Sequence, residues 1–477
     1  MPEAATSPPG KPRRRLSAQA VRHAAWAGFR MLARGHVHWP LLTLFARVIS
    51  ERQPNGHYRP AAHSAADGRP TVLALSPEEF RGDLQFLAET GQVRLLEVPD
   101  VWLRRLMFQF FPIDRDGDVL YRFVKPAPGA PHYREKQTYR KFLRRFLPKL
   151  YAHLGVDCVI THHIHNIPAV DWGEVSQSLG VPYLVFHREC LHAAPRIVRH
   201  IKERVAPLAP FAGEHIAVHN EAARSTFIDC GYCRPDQISS LGAVRMDSYL
   251  ARVAEDQGPP SGRQTVALFG FTIGRDIGKR LHAFTDIVHL AFAELAQRHP
   301  DVDFVIKYKK QYETSWLRQF HAALAQRGLD VRELTNLQVT ADRDAQELIM
   351  ASSAVCGFNS TTLLEAALAG RKVVIPYFPE LKADGVTDYI LFHDYYDAFD
   401  LAETPQKFQE MLEVGLRPYE IPAAVMARRR EVFARYLGDL DGDATRRYAE
   451  LVRTTVGHSQ THGRSPDLPK ASYSTAG

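Results

Sequence analysis

The sequence predicts an α/β protein made of two doubly wound Rossmann-like domains that face each other across a cleft. Short apolar runs alternate with helical patterns along most of the 477 residues. Several of these runs lack the polar alternation of a half-exposed strand, as expected for parallel strands covered on both faces. The alternation stops at residues 254–264, a stretch rich in Pro, Gly and polar residues, and then starts again. We therefore predict one domain on each side of this linker.

The amino-acid composition limits the classes of protein to which the chain can belong. An apolar content of 45% and a charged content of 24% are typical of a globular chain, and no apolar run is long enough for a membrane-spanning helix. The N-terminus lacks the charged-then-apolar order of a secretory signal, and the five scattered cysteines fit a reducing compartment. We expect a cytoplasmic protein. Cys230 and Cys233 have the spacing of half a zinc site without a second half, so no metal site is predicted.

The net charge of +7 is concentrated near the N-terminus. Residues 1–15 are Pro-rich and basic, and we predict that they are a disordered tail. Residues 16–69 are predicted to be helical up to about residue 50, followed by a polar linker. Their aromatic and aliphatic residues among arginines allow two interpretations, amphipathic helices on an anionic membrane surface or helices packed on the first domain.

The first domain is predicted over residues 70–253. Strands are predicted at 71–75, 93–98, 119–124, 158–161, 183–186, 216–218 and 238–241, and helices at 77–88, 133–152, 168–179 and 221–229. The helix at 133–152 has one apolar face. Its opposite face carries Arg140, Lys141, Arg144, Arg145 and Lys149, and this face is either simply solvated or in contact with anionic lipid or a substrate phosphate.

Polar residues follow two of these strands. His163 comes after the strand at 158–161, and His187 and Glu189 come after the strand at 183–186. In doubly wound sheets the ligand crevice lies beyond the carboxyl ends of the strands. These side chains are therefore predicted to stand at the cleft, with an ordinary loop position as the alternative for each.

The second domain is predicted over residues 265–440, before a closing helix at 441–456 and a flexible tail at 457–477. Strands are predicted at 265–269, 304–306, 337–339 and 373–375, and a further strand begins at residue 354. Helices are predicted at 314–327, 344–351, 405–414 and 422–437, and a long helix ends at about residue 299.

The stretch 354–379 is the strongest candidate for a ligand site. It contains a strand, a polar turn, a compact helix that Asn359 or Ser360 can cap, and a second buried strand. The hydroxyls of Ser360, Thr361 and Thr362 stand where a helix start favours an anion. Glu365 follows Thr361 by one helical turn, about 6 Å along the axis, so that a ribose could lie near its carboxylate. The alternative is an ordinary capped helix.

Two further features lead to the same sheet edge. The glycine loop 270–278 contains Thr272 and Gly274, and Lys307 ends the strand at 304–306. The glycine spacing fits neither a P-loop nor the dinucleotide fingerprint, which argues against a kinase or a dehydrogenase. Together with the start of the helix at 360, these residues predict a nucleotide site.

The run from Asn359 to Pro376 resembles glycosyltransferases of the GT-B fold, such as bacterial surface-polysaccharide transferases and CDP-glycerol glycerophosphotransferases. Residues 219–221 and 241–247 resemble further motifs of these enzymes, and the resemblance covers roughly residues 70–440. It implies that the second domain holds a nucleotide sugar, that the first domain holds the acceptor, and that the final helix crosses back to the first domain. It assigns the diphosphate to Ser360 and Thr361 and the ribose or donor to Glu365. Lys307 matches a strand-end lysine of the family, although Tyr308 and Lys309 follow it here instead of Pro-His.

The resemblance implies a metal-independent glycosyltransferase that needs no cofactor besides its nucleotide-sugar substrate. The acceptor is expected to be a saccharide or a lipid-linked molecule, and a lipid-linked acceptor would be reached from the inner face of the cytoplasmic membrane. If the reaction inverts, Glu189, His187 or His163, in that order, is expected to be the base. If it retains, the donor phosphate can take the proton.

Three other functions remain open at this point. They are a CDP-alcohol phosphotransferase, a sugar-nucleotide 2-epimerase and a non-catalytic nucleotide-binding subunit. Nucleic-acid binding is disfavoured, since the basic residues outside 16–45 lack interleaved aromatics for base stacking.

Overall fold

A computed structural model describes residues 38–61, 68–110, 124–256, 258, 262–270, 278–310, 313–382, 386–417 and 420–461. Several predictions lie outside these residues. They are the disordered tail 1–15, the helical stretch before residue 38, the strand at 119–124 up to residue 123, the site residues Thr272 and Gly274, and the tail beyond residue 461.

The first domain alternates strands and helices. Its strands are β1 (Ser50–Arg52), β2 (Tyr58–Pro60), β3 (Thr71–Leu75), β4 (Arg94–Val98), β5 (Cys158–Thr161), β6 (Tyr183–Phe186), β7 (His215–Val218) and β8 (Ile238–Ser240). Its α-helices are α1 (His38–Val48), α2 (Asp83–Glu89), α3 (Asp100–Met107), α4 (Tyr133–Leu154), α5 (Ile167–Ser178), α6 (Pro195–Val205), α7 (Glu221–Asp229) and α8 (Met246–Glu255).

The second domain repeats the alternation. Its strands are β9 (Thr265–Phe269), β10 (Asp303–Lys307), β11 (Leu337–Thr340), β12 (Ala354–Gly357), β13 (Lys372–Pro376) and β14 (Asp400–Ala402). Its α-helices are α9 (Gly278–Arg298), α10 (Glu313–Ala325), α11 (Ala345–Ala351), α12 (Thr362–Leu368), α13 (Pro405–Val414) and α14 (Ala423–Leu437), and α15 (Ala444–Thr461) closes the chain.

The first sheet has the strand order β2-β1-β4-β3-β5-β6-β7-β8. From β4 to β8 all neighbours are parallel; Leu73, for example, lies opposite Leu96 on one side and Val159 on the other. Every residue of β3 is buried, because α-helical crossovers cover both faces of the sheet. The order reverses between β3 and β5, so the sheet is doubly wound.

The second sheet is entirely parallel, with the order β11-β10-β9-β12-β13-β14. The chain therefore builds β9, β10 and β11 in one direction and then β12, β13 and β14 on the other side of β9, the order of a dinucleotide-binding fold. The prediction of two doubly wound α/β domains is confirmed by the two sheets themselves.

The antiparallel strands β1 and β2 correct the prediction of a polar linker at 51–69. Glu51 is buried and accepts from Arg94 Nε at 3.0 Å, and Arg52 pairs with Glu97 of β4. The charges that made this stretch resemble a linker are partners for charges on β4, the strand that pairs with β1 in the sheet.

Helix α1 packs into the core of the first domain. Leu41 and Phe45 are fully buried, and the ring of Phe45 lies 5.4 Å from that of Phe146 on α4 and 5.7 Å from that of Trp172 on α5. Of the two interpretations of the N-terminal segment, core packing therefore holds for residues 38–49.

Two helical predictions need correction. The helix predicted at 77–88 is broken, because Arg81 and Gly82 adopt positive φ between a 3-10 turn (Pro77–Phe80) and α2. Helices α3, α6 and α8 were not predicted, because charged residues interrupt their few buried apolar residues. These are Leu103, Leu106 and Met107 in α3, Val205 in α6, and Met246 and Tyr249 in α8.

The closing helix returns to the first domain. The ring of Tyr448 on α15 lies 4.7 Å from that of Phe186 at the end of β6. Asp247 accepts hydrogen bonds from the backbone N–H groups of Ala444 and Thr445 at 3.1 and 2.7 Å, which satisfies the free donors at the start of α15. This crossing agrees with the position that the resemblance implies for the final helix.

The junction between the domains is well bonded. Asn220 donates to the carbonyl of Tyr436 at 2.7 Å, Ala243 N–H donates to the carbonyl of Leu437 at 2.9 Å, and the Tyr249 hydroxyl donates to the carbonyl of Glu365 at 2.6 Å. Tyr249 is fully buried with the apolar core of the second domain. The relative placement of the two sheets is thus held by buried hydrogen bonds.

Candidate functional site

The predicted nucleotide site lies at the point where the order of the second sheet reverses. Gly357, the last residue of β12, pairs with Phe269, the last residue of β9. The chain leaves these adjacent strands in different directions, which opens a crevice at their carboxyl ends. The start of α12 follows β12 at this crevice.

Three hydroxyl side chains occupy the start of α12. Ser360, Thr361 and Thr362 are all partly exposed. The Ser360 and Thr362 hydroxyls are hydrogen-bonded at 2.7 Å, and Ser360 Oγ accepts from the backbone N–H of Thr362 at 3.3 Å. The hydroxyl-bearing turn is therefore accessible, with no side chain from elsewhere hydrogen-bonded to Ser360 or Thr362 among the described residues.

Of the two predicted caps of α12, Ser360 accepts from a backbone N–H at the helix start, that of Thr362 at 3.3 Å, whereas Asn359 does not cap the helix. The helix is preceded by Thr361, whose side chain makes no cap. Asn359 has φ of 51°, a left-handed conformation that is uncommon outside glycine. Its side chain accepts from Leu391 N–H at 2.9 Å and donates to the Tyr389 carbonyl at 3.0 Å. Asn359 thus fixes the neighbouring loop instead of the helix.

Glu365 is a buried carboxylate one turn into α12. Its Oε2 accepts from Gln346 Nε2 at 3.1 Å, and the Thr361 side chain also hydrogen-bonds to it. Burial raises the pKa of Glu365, and the nearby positive charge of Arg245 acts in the opposite direction. Thr361 and Glu365 therefore share one helix face, as the spacing predicts.

Lys307 stands at the end of β10, and its carbonyl accepts from the N–H of Gly270 at 2.8 Å, where the glycine loop begins. The ammonium donates to the carbonyl of Ala341 at 3.1 Å. Burial lowers the pKa of Lys307, whereas Asp344 and Asp342 act to raise it. The Lys307 side chain is thus hydrogen-bonded to the chain just after β11, which ends at Thr340. Thr272 and Gly274 lie outside the described residues.

The two predicted histidines come together at the edge of the first sheet. The rings of His163 and His187 are 4.5 Å apart, and the ring of Phe227 lies 5.1 Å from that of His187. Burial lowers the pKa of His163 to about 3, and burial together with neighbouring histidines holds the pKa of His187 well below its usual value. Both imidazoles are neutral at pH 7, and His187 is buried.

Glu189 faces away from these histidines. Its side chain is 64% exposed, and its carboxylate lies 3.8 Å from the guanidinium of Arg81. Of the three candidates for the base, Glu189 is therefore the most exposed, His163 is partly exposed and His187 is buried.

Three charged residues at the cleft were not predicted as site residues. Arg188 Nε lies 2.8 Å from Asp83 Oδ2, and both side chains are largely buried. Arg245, immediately before α8, interacts electrostatically with both of these residues and with Glu365 of the second domain. Arg245 belongs to the motif at 241–247 and could have been selected from it. Asp83 carries no local signal, because its partner is 105 positions away in the sequence.

A small cavity lies between the first sheet and α15. It is lined by Phe80, Asp83, Leu84, Leu87, Phe186, Arg188, His219, Val244, Thr445 and Tyr448. None of the hydroxyl residues of α12 contributes to it. Among the described residues, no group of three or more His, Cys, Asp or Glu side chains is arranged to hold a metal ion.

Comparison with known proteins gives structural similarity only. No family model and no curated protein sequence matches the chain. A UDP-GlcNAc 2-epimerase from Neisseria meningitidis bound to UDP-GlcNAc is similar at 11% identity and a TM-score of 0.46, covering 80% of this chain and 99% of its own. A UDP-forming α,α-trehalose-phosphate synthase from Burkholderia xenovorans is similar at 15% identity and a TM-score of 0.45, with 81% and 99% covered. Anabaena HepE in complex with UDP and glucose is similar at 15% identity and a TM-score of 0.44, with 80% and 99% covered.

These TM-scores are below 0.5, so the fold is assigned from the strand orders of the two sheets and from the path of α15. Two doubly wound sheets meet at a bonded junction, and the last helix returns to the first domain. The fold is of the GT-B type. Within the described residues, no helix is both long enough and apolar enough to cross a membrane.

Proposed function

We propose that the protein is a metal-independent glycosyltransferase that moves a sugar from a nucleotide-activated donor to a saccharide or lipid-linked acceptor. The observation that carries this proposal is the arrangement around Glu365. Accessible hydroxyls and a buried carboxylate share one face of α12 at the switch point of the second sheet, and Arg245 of the first domain acts on that carboxylate.

In this proposal the donor diphosphate lies against the hydroxyls of Ser360 and Thr361 at the start of α12. Hydroxyl donors aimed at a leaving diphosphate stabilise its developing charge without a metal ion. Arg245 supplies a positive charge from the opposite domain. Glu365, which already accepts from Gln346 and Thr361, has carboxylate lone pairs left to accept from a sugar hydroxyl.

In the same proposal the first domain presents the acceptor. An inverting reaction needs a base that reaches the acceptor hydroxyl. Glu189 has the exposed side chain for this role, whereas His187 is buried. A retaining reaction passes the proton to the donor phosphate and leaves Glu189 outside the chemistry.

Titration calorimetry with UDP, GDP, ADP and CDP tests the donor site. We expect one diphosphate to bind, because the partly exposed hydroxyls at the start of α12 can donate to its phosphate oxygens. Thr361→Val, which removes the hydroxyl at nearly constant shape, should weaken that binding. The matched control is Thr335→Val, an exposed threonine of the same domain. Absence of binding by all four nucleotides contradicts the proposal.

Product analysis separates the transferase from its alternatives. Selective binding of CDP favours the CDP-alcohol phosphotransferase. A changed sugar nucleotide formed without any acceptor indicates the 2-epimerase. For an inverting transferase, Glu189→Gln should reduce turnover by about 100-fold or more while leaving donor affinity unchanged. Turnover that survives substitution of Glu189, His187 and His163, singly and together, indicates a retaining reaction.

A further inference from the structure

Three residues at the start and on one face of helix α8 act on Glu365 of the second domain. Arg245, Tyr249 and Arg252 are spaced four and three residues apart, which places neighbours on the same side of a helix. Arg245 acts on Glu365 through its charge, and the Tyr249 hydroxyl donates to the Glu365 carbonyl at 2.6 Å. Arg252 reaches the same residue through Gln346. Helix α8 therefore supports Glu365 at its backbone and at its carboxylate.

Gln346 connects Arg252 to the Glu365 carboxylate. Its Oε1 accepts from Arg252 Nη2 at 2.7 Å, and its Nε2 donates to Glu365 Oε2 at 3.1 Å. The backbone of Gln346 is fixed as well, because Asp344 caps α11 by accepting from the N–H groups of Gln346 and Glu347, both at 2.9 Å. Gln346 is thus held at its backbone and at both ends of its amide.

The orientation of the Gln346 amide follows from the chemistry of its two partners. A guanidinium can only donate hydrogen bonds, and an ionised carboxylate can only accept them. Arg252 therefore takes the amide oxygen, which leaves the amide NH₂ group for Glu365. A hydrogen bond to an ionised carboxylate is roughly twice as strong as one between neutral groups. The arrangement thus favours the ionised form of Glu365.

This support matters because Glu365 is buried. Burial has the largest effect on its carboxyl group and raises the pKa of Glu365. The positive charge of Arg245 lowers that pKa, as do the hydrogen bonds from Gln346 and Thr361. Asp344, the nearby acidic residue at the start of α11, acts with burial to raise it. The amide of Gln346 is thus one of the few groups that oppose protonation of a buried carboxylate.

We propose that Gln346, oriented by Arg252, is a positioning residue that presents the Glu365 carboxylate to a hydroxyl of the nucleotide donor. Gln346 acts through Glu365 and need not touch the donor. Loss of the amide deprives the carboxylate of one hydrogen-bond donor. Loss of Arg252 frees the amide to turn, so that its oxygen can face the carboxylate and repel it. This inference rests on the proposed function, because it places the supported carboxylate in the donor site.

The first measurement needs no nucleotide. NMR follows the titration of the Glu365 carboxyl group in full-length protein labelled with carbon-13 at the glutamate side-chain carboxyl, and E365Q assigns the resonance. We expect a higher pKa of Glu365 in Q346M than in the parent protein, because the variant removes a hydrogen bond to the ionised form. The matched control is Q338M, at an exposed glutamine of the same domain. An equal pKa in the parent, Q346M and Q338M overturns the inference.

The second measurement is calorimetry with UDP, GDP, ADP and CDP at pH 7. Q346M should raise the Kd of the bound nucleotide about 10-fold, the loss expected for one hydrogen bond to a charged group. R252M should raise it by about threefold, since the amide stays in place but loses its fixed orientation. In Q346M, the further change R252M should have no effect, because Arg252 acts through Gln346. The controls Q338M and R430M, both at exposed positions, should bind as the parent protein does.

The two measurements separate this inference from the proposed function. If the parent protein binds none of the four nucleotides, the proposed function fails, and the pKa of Glu365 in Q346M still decides whether Gln346 supports the carboxylate. If the parent binds a nucleotide and Q346M binds it equally, only the role of Gln346 is overturned. Additive losses in Q346M and R252M also contradict it, since Arg252 then acts by another route. If Q346M does not fold by circular dichroism, R252M is compared in the parent and in E365Q, where it should leave Kd unchanged.

Discussion

The two sheet edges that meet at the cleft occupy equivalent places in their domains but differ in chemistry. The edge of the first sheet is filled with imidazoles, among them His163 and His187, whose pKa values are lowered by burial. The edge of the second sheet carries small hydroxyls that stay partly exposed, with Glu365 behind them. One edge is closed by neutral rings, and the other keeps hydrogen-bonding groups available.

This difference shows that position in a doubly wound fold supplies a crevice but not its chemistry. Helix starts and strand ends are present at both edges. Ligand-binding capacity depends on whether the polar side chains there are reached by solvent, as Ser360 and Thr361 are, or are buried, as His187 is. The first edge is suited to shape an acceptor site, whereas the second is suited to hold an anion.

We expect the largest effect from Gly438→Ala. This substitution should disturb the contact between the two domains that holds their sheet edges in position. Gly438 has φ of 109°, and an added Cβ would lie 2.4 Å from Cα of Gly242 in the other domain. Backbone strain and overpacking each cost about 1–3 kcal/mol. We expect a loss of about 3 kcal/mol or more in the free energy of unfolding, measured with urea.

The control for this change is Gly180→Ala. Gly180 has φ of 78° but nothing within 4 Å of an added Cβ, so only the conformational cost of about 1–2 kcal/mol remains. Equal losses in the two variants would show that the close approach at Gly438 does not hold the domains in place.

Acid should weaken the first edge before the second. Burial lowers the pKa of His162 and His163 from 6.5 to about 3. Between these pH values the unfolded chain binds protons that the folded chain does not, so the free energy of unfolding falls as the pH drops. Each such imidazole contributes up to about 1.4 kcal/mol per pH unit. Urea unfolding followed from pH 7 to pH 5 should show this loss.

His163→Gln should make that pH dependence shallower by about one proton. His289, buried in the second domain with its pKa lowered by burial to about 3, provides the comparison. The interpretation fails if His163→Gln leaves the slope unchanged, or if the second domain unfolds first.

Glu365→Gln tests the proposed ligand binding at the edge of the second sheet. The substitution keeps the shape of the side chain but removes the charge that the proposed sugar hydroxyl meets. Because hydrogen bonds to charged groups contribute about 1.5–3 kcal/mol, donor Kd should rise about 10- to 100-fold in calorimetry. Glu347→Gln, on the exposed side of α11, should leave Kd unchanged. His187→Gln should also leave it unchanged, and a large effect there would mean that both edges bind the donor.

The smallest effect is expected at the surface of the junction. Arg199 and Asp388 face each other across the domains at 3.5 Å, with 60% and 50% of their side chains exposed. Solvent screening limits such pairs to about 0–1 kcal/mol, so Asp388→Asn should barely change urea unfolding. Asn220→Ala, which removes a buried hydrogen bond to Tyr436, should cost about 1–3 kcal/mol. The reverse order would mean that surface charge holds the domains together.

Several buried strands could be predicted from the sequence with accurate bounds. The predicted strands at 71–75, 158–161, 183–186 and 265–269 agree with the structure at both ends. Their apolar runs are bounded by polar turns, which marks buried strands locally. The hairpin of β1 and β2 was missed because its stability comes from Arg94 and Glu97 on a strand more than thirty residues away.

At the candidate site, the sequence located the hydroxyls of α12 and the shared face of Thr361 and Glu365, since residues four apart on a helix are neighbours whatever surrounds them. It could not show that Asn359 turns toward the 389–391 loop, nor that Arg245 stands between the two edges. Those contacts join residues that are distant in the chain.

The sequence by itself thus determined the two doubly wound domains and the one-turn spacing of the hydroxyl and carboxylate groups. Both follow from local periodicity, which each segment carries in its own side chains. Only the tertiary structure decided which polar groups are buried and which remain in contact with solvent. That distinction arises from long-range packing, which buries His187 at one edge and leaves Ser360 and Thr361 at the other partly exposed.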